Sequence, residues 1–73
     1  MSAMAMVELL RYIGTACVQQ NISMVEVGRR HGWPDDATLM ILRGKVIPTT
    51  GQLEMIGQEM GIPLQTLTGL LEK

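Results

Sequence analysis

The chain has 73 residues, six basic against seven acidic, with a formal net charge of −1. That length allows one small domain spanning 1–73, and a hydrophobic content of 47% excludes a disordered tail. The near-neutral balance lacks the basic surplus usual in a domain built to grip phosphates, the lone Cys17 cannot form an internal disulfide, and no run reaches the roughly 18 apolar residues of a membrane span.

Five short helices and no strand fit the pattern. The start, Met-Ser-Ala-Met-Ala-Met-Val-Glu, has no basic signal-peptide onset. With the single cysteine, this points to a cytoplasmic setting. The first helix is expected from about Met4 to Gln20, with Met6, Leu9, Leu10, Ile13 and Cys17 forming one apolar stripe. Glu8, Arg11, Thr15 and Gln19 take the opposite face, and Asn21 suits the exit. The second helix is expected from Met24 to His31, with Ser23 and Glu26 at capping-box spacing. Gly28 weakens this helix by about 1 kcal/mol relative to Ala, which makes sense where another helix crosses closely. Gly32 is its stop.

The third helix is expected from Asp35 to Arg43. Pro34 fixes its entry, Asp35 or Asp36 is its cap, and Gly44 is its stop. The fourth runs from Thr50 to Met60. Thr49 and Gln52 form a second capping box, Leu53, Ile56 and Met60 an inner face, and Gly61 an end. The fifth starts at Pro63, a favoured first-turn residue, and is expected to bury Leu64, Leu67 and Leu71.

A long helix, two short helices split by a glycine turn, then Arg-Gly-Lys-x-x-Pro and two more helices is an arrangement similar to the Cro and phage-repressor helix-turn-helix family. The resemblance covers about Leu9 to Leu71. It rests on Ser23, Val27-Gly28 where the family has Leu-Ala, Gly32, Ile41, Arg43-Gly44-Lys45 and Pro48. The tail Leu53-x-x-Ile56-Gly57-x-x-Met60-Gly61-Ile62-Pro63-Leu64-x-x-Leu67 matches the family's closing helices. It implies a lambda-repressor-like all-α domain that works as a homodimer on double-stranded DNA. The third helix would lie in the major groove, and half-sites would be spaced about one helical turn apart.

By that resemblance Arg43 and Lys45 fall where phosphates are contacted, and Arg29 and Arg30 could extend a basic rim. Each also reads as a solvated surface charge. Between Glu26 and Thr50, four basic residues stand against three acidic ones, a surplus of one. Asp35, Asp36, Leu39 and Met40 occupy the base-facing positions, and here the sequence departs from the family. Base readout favours donors such as Arg, Lys, Asn and Gln, whereas Asp accepts only from cytosine's amino group. Asp35 and Asp36 therefore read as caps before base contacts.

Leu39, Met40 and Leu42 exceed what the core needs if Ala37 and Ile41 face inward. With Trp33, Val46 and Ile47 beside them, they then form an apolar interface. The other possibility is a rotated third helix that buries Leu39 and Leu42, since Thr38 falls at a family core position. His31 reads as a partly buried structural histidine and Cys17 as an inert core thiol.

No Ser-His-Asp, Cys-His or phosphate-loop pattern occurs, so neither an enzyme nor a cofactor is expected. The first expectation is a DNA-binding transcriptional regulator, a repressor of this type. The alternative is a degenerate helix-turn-helix that regulates another protein by docking through its third helix, without DNA.

Overall fold

The computed structural model describes residues 3–72. It is all-α, with five helices in the order α1 Ala3–Gln20, α2 Met24–Arg30, α3 Asp35–Leu42, α4 Thr50–Met60 and α5 Leu64–Leu71, and no strand among the described residues. The five-helix expectation is borne out. The α4 bounds coincide with those read from the sequence, while α2 and α3 each end one residue earlier.

The core is built where the apolar stripes of α1, α4 and α5 converge. Met6, Leu9, Ile13 and Ala16 of α1 meet Leu53, Ile56 and Met60 of α4 and Leu67 of α5, with Met24 added from α2. Cys17 and Leu10 lie half-buried at its margin, as do Leu64, Leu70 and Leu71, so of the expected α5 residues only Leu67 is fully enclosed. Gln20 Nε2 donates to the Met60 carbonyl at 2.8 Å and ties the end of α1 to the end of α4. Among the described residues, no helix is long and apolar enough to cross a membrane.

The caps are partly as expected. Thr49 and Gln52 form a full capping box, Thr49 Oγ1 accepting from the Gln52 N–H at 3.1 Å and Gln52 Oε1 accepting from the Thr49 N–H at 2.8 Å. Ser23 makes only half of one. Its Oγ accepts from the Glu26 N–H at 3.4 Å, while the Glu26 carboxylate turns to Arg29 instead. At α3 the expectation of an aspartate cap is corrected. The N-cap position is Pro34, which has no side-chain hydrogen bond to offer, and Asp35 and Asp36 lie in the first turn. They act there on the helix dipole rather than as caps.

Helices α1 to α4 share one kind of ending. A residue with positive φ, namely Asn21 (54°), Gly32 (79°), Gly44 (72°) or Gly61 (70°), turns the chain back. The next residue's N–H then reaches the carbonyl five positions earlier: Ile22 to Cys17 at 2.9 Å, Trp33 to Gly28 at 2.8 Å, Lys45 to Met40 at 2.9 Å and Ile62 to Gly57 at 2.9 Å. This closure satisfies carbonyls that the helix leaves open, and it usually brings an apolar side chain back onto the helix.

Candidate functional site

The α2–α3 pair is where the sequence placed its chemistry. The two helices pack on each other at Gly28, where a methyl group would collide with Thr38 Oγ1 and lie 3.2 Å from Trp33 Cε3. The glycine therefore has the packing reason expected of it. Val27, Gly28, Thr38 and Ile41 are all buried, whereas Ala37 is only half-buried. The inward pair of α3 is thus Thr38 with Ile41, one turn of helix apart, rather than Ala37 with Ile41. The Thr38 hydroxyl is fully enclosed and has no hydrogen-bond partner among the described residues.

This register leaves Met40 and Leu42 exposed and Leu39 half-buried, so the rotated alternative that would have buried Leu39 and Leu42 is not adopted. Val46 and Ile47 in the following loop are exposed as well. Trp33 differs from the rest of the expected apolar interface. It is half-buried, packed against the core, with its ring 6.0 Å from that of His31.

The basic residues divide into two sets. Arg29 is held by acids at the start of α3. Its Nε and Nη2 donate to Asp35 Oδ1 and Oδ2 at 3.1 and 2.9 Å, and Nη1 donates to Glu26 Oε1 at 3.4 Å. The hydrogen bonds and charge of Arg29 hold the Asp35 carboxyl below the usual carboxylate range, and Asp35 in turn raises the guanidinium. Arg30 Nη1 donates to Glu59 Oε2 on α4 at 2.8 Å. His31 Nε2 lies 3.3 Å from Glu59 Oε1, within ion-pair distance but out of hydrogen-bond alignment. Glu59 is thus a residue that sequence reasoning missed. It stands 29 positions beyond Arg30 on a different helix, and no local spacing announces it.

Arg43 and Lys45 form the second set. Both are exposed and, among the described residues, neither makes an ion pair. Asp36 is exposed on the first turn of α3. The four phosphate-contact candidates are therefore not equivalent. Reaching a phosphate costs Arg29 and Arg30 an existing partner, and costs Arg43 and Lys45 only hydration.

Elsewhere the surface has little chemistry. One open groove of about 410 Å³ is lined by Cys17, Val18, Asn21, Ile22 and Ser23. Another, of about 370 Å³, lies between Tyr12, Thr15 and Gln19 of α1 and the Met60–Ile62 turn. Neither has a charged side chain in its lining, and burial pushes the Cys17 thiol up. No group of three His, Cys, Asp or Glu side chains that could hold a metal ion occurs among the described residues. No protein-family model, curated protein or solved structure matches the chain.

Proposed function

We propose that the chain is a small transcriptional regulator of the Cro/phage-repressor helix-turn-helix type, which binds duplex DNA with α3 as the groove-facing helix. The observation that carries this reading is that α3, seated across α2 at the Gly28–Thr38 contact, leads straight into two exposed, unpaired cations, Arg43 and Lys45. These are the phosphate anchors. Arg29 supports the reading indirectly. By neutralising Asp35 it reduces the repulsion that the first turn of α3 would otherwise present to a phosphate.

Base discrimination on this face is narrow. Asp36 accepts from a cytosine amino group, Leu39 and Met40 touch thymine methyls, and the remainder comes from DNA shape. A homodimer in the cytoplasm would place two such faces on adjacent half-sites. The test is a gel-shift titration at low salt against random-sequence and genomic DNA. A complex that dissociates steeply as salt rises is expected, and no complex at high micromolar protein sinks the reading.

A second reading is favoured by the exposed Met40, Leu42, Val46 and Ile47, because large apolar side chains left in water are the raw material of a protein interface. Here the same face docks another protein and DNA is not bound. Met40→Glu, a change at an exposed position, should abolish partner capture, and unchanged capture counts against it.

A further inference from the structure

Leu9 and Ile13 lie on the buried face of α1. Met4, Val7, Arg11, Gly14 and Val18 recur at intervals of three and four residues, which sets them within about 80° of arc on the opposite face, and all are exposed. Met4 is 64% exposed, Val7 46% and Val18 83%. Apart from the helix's own backbone, no group among the described residues comes within 4 Å of the point that a Cβ on Gly14 would occupy. Packing within the chain therefore gives no reason for a residue that weakens the helix. Arg11 makes no ion pair among the described residues, and neither does Glu8, one turn away at the edge of this face. We propose that this face of α1 pairs with the same face of a second copy, the two helices running antiparallel about a twofold axis level with Leu9. The pairing supplies the contact surface of the homodimer in the DNA reading above, and it rests on that homodimer.

Spacing and charge select a second copy together. In this register Met4 meets the other copy's Gly14, Val7 meets the stem of its Arg11, and the symmetry repeats each contact. Gly14, with no side chain, lets the helices approach and leaves room for the flexible Met4. Glu8 comes alongside the other copy's Arg11, so each chain supplies the opposite charge that the other lacks. A parallel pair would instead set Glu8 beside Glu8 and Arg11 beside Arg11. Val18 continues the stripe just past the N-terminal end of the other α1. An anionic lipid leaflet gains little here, because one cation balanced by Glu8 is no basic cluster. A strongly charged protein likewise meets no net field on this face. The contact runs along about 15 Å of helix and covers less than the roughly 800 Å² per partner of a standard interface. The dimer is therefore weak, with a Kd on the order of 10–100 µM.

The experiment is sedimentation equilibrium of the full chain from about 5 to 500 µM, for wild type and for variants of the outer face. Wild type should pass from monomer to dimer across this range. Val7→Glu, a change at an exposed position, should weaken the dimer about tenfold or more. Gly14→Gln should weaken it as well, yet raise the melting temperature of the dilute monomer, a combination that a glycine needed only for folding does not give. Glu8→Arg should weaken the dimer, and Glu8→Arg/Arg11→Glu should restore it, because the reciprocal pairs are then re-formed with their signs reversed. A Glu8→Arg dimer as tight as wild type overturns the antiparallel register. A dimer that none of these variants weakens overturns the α1 pairing and leaves the homodimer standing. A chain that stays monomeric at the top of the range overturns both, and the gel shift still tests DNA binding separately. A monomer that binds vesicles of mixed phosphatidylserine and phosphatidylcholine, and loses them with Val7→Glu, overturns the proposal in favour of a lipid surface.

Discussion

The exits of α1, α2 and α4 and the exit of α3 have the same backbone closure but differ in the residue that completes it. In the first three, the residue after the left-handed turn is Ile22, Trp33 or Ile62, and each packs against the core. At α3 the same position holds Lys45, which is exposed. Three exits are thus tied down by an apolar side chain, as often accompanies this closure, and the fourth has an exposed lysine in that position. The two ends of α3 differ in the same sense. Its entry is pinned to α2 by the Gly28–Thr38 contact and the Arg29–Asp35 pair. Its exit carries unpaired cations and exposed aliphatic side chains. The entry commits its groups to folding, and the exit leaves them exposed to solvent.

The largest effect should come from filling the pinned end. Gly28→Val forces a branched side chain against Thr38 and Trp33 and should lower stability by about 3 kcal/mol, read from urea unfolding. A near-neutral result would mean that α3 can slide off α2 without penalty. Next in size is the open end. Arg43→Gln/Lys45→Gln should leave the melting temperature unchanged while lowering the salt slope of DNA binding by about 2, roughly 0.9 for each phosphate no longer neutralised. Arg30→Gln should lower it less, because that guanidinium already has Glu59. Equal slopes for the paired and unpaired cations would erase the distinction between them.

A smaller gain is expected at the interior of the pinned end. Thr38→Val removes a buried hydroxyl with no partner and should stabilise by about 1 kcal/mol, measured by thermal unfolding. A loss would show that the hydroxyl is satisfied in solution. The smallest effect belongs to Arg29→Gln, since its ion pair is exposed. Asp35 titrates lower when folded than when unfolded, so its contribution is present above the unfolded-chain value and lost as pH falls through the folded one. Wild type and Arg29→Gln should therefore differ slightly near neutral pH and converge in acid. A difference that persists in acid would assign the effect to packing.

Much of this architecture is legible locally. The Thr49–Gln52 capping box, the stops at Gly32, Gly44 and Gly61 and the leucine and isoleucine spacing of α1 and α4 all act within a few residues, so the sequence displays them directly. The aspartate cap expected for α3 fails because Pro34 takes the N-cap position and leaves Asp35 inside the helix, where Arg29 claims it. Trp33 departs from the expected exposed interface because composition cannot say that the α2 closure folds it inward. The candidate site is legible as a set of residues but not as two sets.

By itself, then, the sequence determined five helices, the bounds of α4, and the apolar stripes of α1 and α4, because caps, glycine turns and helical periodicity are short-range. Only the tertiary structure decided which charges are free. An ion pair such as Arg30–Glu59 depends on two helices meeting across 29 positions of chain. The orientation of α3, with Thr38 rather than Ala37 inward, depends on how closely α2 approaches at Gly28, and this distance is set by packing rather than by any local preference.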